Sequence, residues 1–177
     1  MIDLEALREK RVIYVGGVSG SGKSVFAAAL AAALPGYNLI KLDWIYSGLH
    51  AARTHGGVKR SRRVMARIAP KIVAEIVADG GRRIIEGGWV EPRAWQRLAA
   101  GDPSVYAIFL GYPDTNVAAM AERLAATTHW LSGDSVENHT FIADQIEHSK
   151  RLRRKLGGRA GIDFIDVSAG WLDSLPA

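Results

Sequence analysis

The sequence predicts an α/β protein: a parallel sheet of five strands with helices on both of its faces. Three observations predict it. Five short β-branched or aromatic runs alternate with longer stretches of helical periodicity along the 177 residues, the pattern left by repeated strand–helix–strand units. Stop signals fall between them, at Pro35-Gly36, Asp79-Gly80-Gly81 and Gly157-Gly158. A Gly/Ser-rich stretch, residues 17–24, separates the first strand from the first long helix.

Asp3 to Lys10 reads as a short lead-in helix. Arg11-Val12-Ile13-Tyr14-Val15 is the first strand, β-branched and aromatic as a buried strand should be. Val25 to Leu34 is rich in alanine and leucine, both strong helix formers, and Pro35-Gly36 stops it. Asn38 to Leu42 is the second strand. It delivers Asp43-Trp44-Ile45-Tyr46 at its C-terminal end, the edge of open α/β sheets where ligands sit. Ser47 to Gly57 is polar and glycine-containing and is expected to be a mobile loop.

From Lys59 onward Val64, Ile68, Ile72 and Ile76 recur every four residues, with Met65, Val73 and Val77 beside them, which makes a helical face. Pro70 lies inside it, so a kink or two helices meeting near Ala69 are expected. Arg83 to Glu86 is the third strand, running into Gly87-Gly88-Trp89-Val90-Glu91-Pro92, and a short helix covers Arg93 to Ala99. Ser104 to Leu110 is the fourth strand, with a helix from about Thr115 to Ala126 and a connector from Thr127 to Gly133. Asp134 is expected to cap a long helix, with Glu137 closing a capping box. Ile142, Ile146, Ser149, Leu152 and Leu156 form its apolar side. Ile162 to Val167 is the fifth strand, and Ala169 to Leu175 a terminal turn or helix.

No repeat, low-complexity tract or linker divides the chain, so one domain over 1–177 is expected. The absence of cysteine excludes disulfides and thiolate metal sites and fits a reducing cytoplasm. The first residues do not form a signal peptide, and no apolar run has membrane-spanning length. The histidines show no metal-ligand spacing. The net charge of +5 concentrates in Arg53–Arg67 and Lys150–Arg159, which favours a local task over a uniformly basic surface. Lys150 to Lys155 lies on an amphipathic helix and reads as a solvated face, not a nucleic-acid surface.

The stretch that carries chemistry is Gly17-Val18-Ser19-Gly20-Ser21-Gly22-Lys23-Ser24, which satisfies G-x-x-x-x-G-K-[ST]. Its glycines let backbone N–H groups turn inward as an anion site, and the following helix adds its N-terminal donors and dipole. This predicts nucleotide binding, with Lys23 reaching the β- and γ-phosphates and the Ser24 hydroxyl on Mg²⁺. Gly17, Ser19, Gly20, Ser21, Gly22, Lys23, Ser24 and Val25 are the candidate nucleotide contacts.

With this loop early in the chain and five alternating strands, the sequence resembles the small P-loop kinases: the adenylate, shikimate and gluconate kinase group and the adenylate-kinase-like topology modulation proteins. The resemblance implies a strand order of 2-3-1-4-5, ATP on the loop, and a small-molecule acceptor bound in about 43–80. It also implies a lid-like segment at about 127–155. Asp43 resembles the acidic residue that ends strand two and meets the acceptor hydroxyl, as base or through Mg²⁺; a turn or capping role is its alternative. Glu86 resembles the acidic or glycine-rich position at the end of strand three, where it is expected to hold a Mg²⁺-bound water or a substrate hydroxyl and shares the metal candidacy with Asp43, unless it only pairs with Arg82 or Arg93.

Trp44 and Trp89 are expected to stack on the acceptor, and Trp95 to fill the core. Arg53 and Arg63 suggest an anionic acceptor, a phosphate or a carboxylate. Arg123 resembles the arginine that packs on adenine or opens the lid, with a surface pair to Glu122 or Asp114 as the alternative, and Ser168 falls where the adenine edge is read. The family's lid arginines have no counterpart in Thr127–Gly133, so Arg151, Arg153 or Arg154 are the substitutes, Arg151 and Arg154 being the catalytic candidates. Glu147 and Arg151 are also spaced to pair. The expected activity is ATP- and Mg²⁺-dependent phosphoryl transfer. The competing expectations are a nucleotide-gated regulatory or nucleic-acid-associated ATPase, and a protein that binds nucleotide without turnover.

Overall fold

The computed structural model describes residues 3–52, 57–127, 136–157 and 160–169. Its strands are β1 (Val12–Gly17), β2 (Asn38–Lys41), β3 (Arg83–Glu86), β4 (Val105–Gly111) and β5 (Ile162–Asp166). All neighbours pair parallel, in the order β2-β3-β1-β4-β5. Parallel neighbours need crossovers, which the helices supply. These are α1 (Leu4–Arg8), α2 (Lys23–Ala33), α3 (Leu42–Ala51), α4 (Gly57–Ala78), α5 (Pro92–Leu98), α6 (Val117–Thr127) and α7 (Val136–Leu156).

The chain leaves β1 toward one edge of the sheet and then works back through β3, β4 and β5. Right-handed crossovers convert that reversal into opposite faces, α2 on one and α4, α5 and α7 on the other. The contacts agree: α2 packs on β1, β2 and β3, whereas α3, α4, α5, α7 and α6 touch in succession. The C-terminal end of β1 is therefore a switch point, since its outgoing helix lies opposite those of both neighbours. Ligands bind at such points in open α/β sheets.

The core sits on β1, where Val12 to Val15 are fully buried. Trp95 of α5, also fully buried, stacks on Tyr14 with ring centroids 5.2 Å apart, as its expected filler role requires. At the start of the chain the Asp3 carboxylate accepts the Ala6 N–H at 3.1 Å and caps α1.

Three differences from the sequence reading have physical causes. Residues 42–51 form α3, where a loop was expected from Ser47; Leu42, Ile45, Tyr46 and Leu49 recur at helical spacing and pack on the core. Gly48 in that run is a weak helix breaker that packing overrides. Second, α4 is one helix with Pro70 inside it, not two meeting near Ala69. Its buried stripe is Ser61, Met65, Ala69 and Val73, so the expected Val64–Ile76 row sits half-buried beside it. Third, β1 continues to Gly17, into the Gly/Ser stretch itself. Asp134 and the terminal element beyond Ala169 lie outside the described residues. No described helix is long and apolar enough to cross a membrane.

Candidate functional site

The Gly/Ser stretch grows from the end of β1. Gly17 has φ 123°, and a Cβ there would lie 2.0 Å from the Leu110 carbonyl oxygen, so the position demands glycine. The next N–H, that of Val18, donates to the same oxygen at 3.1 Å and fixes the base of the loop to β4. Gly22, at φ 83°, is the N-cap of α2 and brings no side chain to cap it. The buried Ser21 hydroxyl and the Lys23 ammonium both donate to the Val18 carbonyl, at 2.8 and 2.7 Å. Among the described residues, the N–H groups of Gly20, Gly22, Lys23 and Ser24 meet no carbonyl. Four free donors at the positive end of a helix make an anion site.

Charge gathers beside it. Glu86 ends β3 next to Val15 and Lys41, is 1% exposed, and its Oε1 accepts the Ser24 hydroxyl at 3.2 Å. Its hydrogen-bond partner is thus Ser24, and not Arg82 or Arg93, the alternative partners in the sequence. Burial pushes the Glu86 carboxyl above the usual range, while the Lys23 ammonium opposes the rise. Burial likewise pushes Lys23 below the ordinary lysine value, with Glu86 and Asp43 supporting its charge. Among the described residues no three His, Cys, Asp or Glu side chains cluster as a metal site. Ser24 and Glu86 still bring two hard oxygen atoms together at the phosphate site. That fits Mg²⁺, which takes one or two protein oxygens and completes its shell with phosphate and water.

Asp43 lies in the first turn of α3, whose N-cap residue is Lys41 and has no side-chain cap bond. Its Oδ1 accepts the Trp89 indole N–H at 2.5 Å. Trp89 is held from two sides: Tyr46 packs on its ring at 4.8 Å, and Tyr14 pins the loop that carries it. The Tyr14 hydroxyl donates to the Gly87 carbonyl and accepts the Val90 N–H. Trp44 is 72% exposed, with the Lys41 ammonium 5.6 Å from its ring centre.

A closed circuit ties the loop to α7. Ser19 donates its N–H to Gln145 Oε1 at 3.1 Å and accepts the Tyr112 hydroxyl on its carbonyl at 2.6 Å. The Tyr112 N–H donates to Ser149 Oγ at 3.1 Å, and that hydroxyl donates to the Gln145 carbonyl at 2.9 Å. Arg123 lies over the Tyr112 ring at 5.7 Å and donates to the Val167 and Ser168 carbonyls. Ser168 Oγ accepts the Asp114 N–H at 2.9 Å.

The remaining candidates are dispersed. Val25 and Arg63 are exposed, on α2 and α4, and Arg53 lies outside the described residues. Arg153 is held by Asp114, bidentate at 2.5 and 2.8 Å, and by Asp166. Glu147 pairs with Lys150, not with Arg151. Arg151 and Arg154 are exposed, about 9 and 13 Å along the axis of α7 from Gln145 by helical rise. Residues 128–135 of the lid-like segment lie outside the described residues.

A cavity of about 500 Å³ opens beside Trp89, between α4 and α5, lined by Ala66, Pro70, Trp89, Glu91, Arg93 and Arg97 among others. Gly88 in its wall is close enough to the loop that a Cβ would stand 3.5 Å from the Gly17 carbonyl oxygen. A second cavity of about 580 Å³, lined by Lys10, Asp102, Tyr106 and Ile162, lies at the opposite edge of the strands and touches none of these groups. The sequence reading missed Tyr14, Tyr112 and Gln145, whose roles depend on contacts between distant segments. It gave Arg97 no role and Arg93 only a pairing with Glu86, although their i,i+4 spacing puts them on one face of α5.

The loop, the strand order and the switch point together define a P-loop α/β nucleotide-binding fold, that of the small P-loop kinases which the sequence resembles. A family model described as an AAA domain matches residues 12–129, and the chain belongs to that family. No curated protein matches the sequence. Among solved structures, a gluconokinase from Sinorhizobium meliloti 1021 is similar with a TM-score of 0.59 and 19% identity, covering 89% of this chain and 82% of its own. A shikimate kinase from Acinetobacter baumannii in complex with shikimate gives 0.58 and 14%, covering 93% and 87%. The Deinococcus radiodurans tunicamycin resistance protein gives 0.58 and 18%, covering 91% and 88%. At these identities the likeness is one of fold.

Proposed function

We propose that the protein is an ATP- and Mg²⁺-dependent kinase that transfers the γ-phosphoryl group to a small-molecule acceptor: a nucleoside, a nucleotide monophosphate or a polar metabolite. One observation carries this reading. Four N–H donors left free among the described residues, Lys23 and the Ser24–Glu86 pair gather near Asp43, which is tied to Trp89, a residue lining a cavity of substrate size. Phosphoryl transfer needs mainly positioning and charge neutralisation, and these groups supply both.

The donors of Gly20 to Ser24 cradle the phosphate chain, and Lys23 stabilises charge on the transferred group. Bound Mg²⁺, held by Ser24 and Glu86, would supply charge neutralisation across the phosphates. The acceptor hydroxyl attacks the γ-phosphorus, its proton passes to Asp43, and ADP leaves. The Trp89 indole occupies Oδ1 of Asp43, which leaves Oδ2 for that proton. Arg123 and Ser168 take the adenine end, and Arg151 and Arg154 on α7 are the proposed source of further positive charge. In this reading the chain is one domain, with its acceptor-binding part in residues 43–80.

The test is ATP consumption with Mg²⁺ across nucleosides, nucleotide monophosphates and hydroxylated metabolites, with Asp43→Asn and Lys23→Ala beside the parent. A compound that raises turnover and emerges phosphorylated supports the kinase. Asp43→Asn should then lose acceptor-dependent turnover with nucleotide binding intact; full turnover in that variant removes Asp43 as the base. If ATP binds and no compound is phosphorylated, the reading falls to the nucleotide-gated ATPase. Against that alternative, Lys150 and Arg153 of the basic run are already engaged by Glu147, Asp114 and Asp166.

A further inference from the structure

The cavity beside Trp89 is lined by two guanidinium groups that form no ion pair among the described residues. Arg93 and Arg97 lie one turn apart on α5, both exposed and both lining it. Among the described residues neither forms an ion pair, whereas Arg8, Arg11, Arg83 and Arg153 all do. Glu91 lines the same cavity, also without an ion pair. Two forked, permanently charged donors on one wall match the oxygens of a carboxylate or phosphate.

The facing wall explains Pro70. Proline has no N–H, so the helical bond that would reach the carbonyl of Ala66, four residues back, is missing. Ala66 and Pro70 are the two α4 residues in the cavity wall. This turn of α4 leaves a carbonyl acceptor without its helical partner, and that acceptor suits a hydroxyl. Trp89 adds an aromatic surface and carries the bond to Asp43. The cavity wall thus carries two cations, the α4 turn at Ala66 and Pro70 and an aromatic surface, in a volume that suits a sugar-sized molecule.

Resting on the kinase reading, we propose that the acceptor is a small polyhydroxylated anion whose carboxylate or phosphate is held by Arg93 and Arg97. The anion would be read from α5, not from the Arg53–Arg67 segment. The hydroxyl to be phosphorylated points past Trp89 to Asp43.

The experiment is calorimetric titration of the full chain saturated with ADP and Mg²⁺, so that the phosphate loop is filled. Two matched pairs of probes differ in one anionic group: gluconate with glucitol, and glucose 6-phosphate with glucose. At least one anion should bind about tenfold or more tightly than its neutral partner, and which one does separates carboxylate from phosphate. The double variant Arg93→Gln/Arg97→Gln should lose that preference, and Arg93→Lys/Arg97→Lys should keep most of it. Arg82→Gln, far from the cavity and stacked on Tyr37, should bind like the parent.

Equal binding of anion and neutral partner, no binding of either anion, or full anion binding by the glutamine double variant each overturns the site. Turnover that survives in the double variant keeps the kinase and removes the anion site. Arg93- and Arg97-dependent binding without phosphoryl transfer keeps the anion site and removes the kinase.

Discussion

The Ser19 N–H donates to Gln145 Oε1 at 3.1 Å, so the phosphate loop is held by a helix that begins more than a hundred residues later. An amide N–H can only donate, which fixes the carboxamide with its oxygen toward the loop. Gln145→Ala should release one side of Ser19 while Tyr112 keeps the other. One hydrogen bond of about 1 kcal/mol corresponds to a nucleotide dissociation constant raised about fivefold. Titration with ATP at unchanged circular dichroism checks this, and an unaltered dissociation constant would show the contact to be idle.

Glu86 gives a pH prediction with a definite sign. Its carboxyl is raised in the folded protein, chiefly by burial. Between the unfolded value, about 4.3, and the raised folded one, the native state binds more protons than the unfolded chain. The contribution of Glu86 to stability is therefore fully present below that window and lost as pH rises through it. Glu86→Gln, isosteric and uncharged, should gain thermal stability relative to the parent as pH is raised from 4 to 7. It should also lose Mg²⁺-dependent nucleotide binding. Melting temperatures whose difference stays constant with pH would contradict the assignment.

Gly17 and Gly36 separate crowding from backbone strain. Both have positive φ, but a Cβ at Gly17 meets the Leu110 carbonyl oxygen at 2.0 Å, while one at Gly36 meets nothing within 4 Å. Gly36→Ala should cost about 1 kcal/mol, a melting shift of about 2–4 °C at this chain length. Gly17→Ala should cost about 3 kcal/mol or more, about 6–12 °C, and abolish nucleotide binding. Thermal denaturation of the pair is the check.

Trp89→Phe keeps an aromatic wall and removes the N–H that holds Asp43. Acceptor-dependent kcat should fall about tenfold through the lost positioning, while ATP affinity stays at the parental value. Steady-state kinetics beside nucleotide titration distinguishes this from a general loss of structure, which would lower both.

What the sequence displayed and what it concealed follow from the range of the forces involved. The strand runs, the phosphate loop and the fate of Trp95 are written locally, in β-branched stretches, a glycine pattern and a bulky residue on an amphipathic helix. The Leu42–Ala51 helix was masked by Gly48 and by polar residues that propensity reads as loop, although Leu42, Ile45, Tyr46 and Leu49 already had the spacing. Glu86 was legible as an acid at a strand end. Its bond to Ser24 was not, because that depends on β3 lying beside β1. The Gln145–Ser19–Tyr112–Ser149 circuit joins residues that only the tertiary fold brings together.

The base of the phosphate loop has a consequence for how the protein is made. Val18 donates to Leu110, and Gly17 packs against the same carbonyl. Both sheet neighbours of β1, namely β3 and β4, are encoded well after it. During synthesis the apolar Val12–Val15 segment must therefore wait for β3, and its other edge stays unpaired while the ribosome adds residues through 110, several seconds at about 5–20 residues per second. An early-emerging loop cannot capture nucleotide until that late strand arrives. The nascent chain is thus most dependent on chaperone protection in the interval before β4 leaves the exit tunnel.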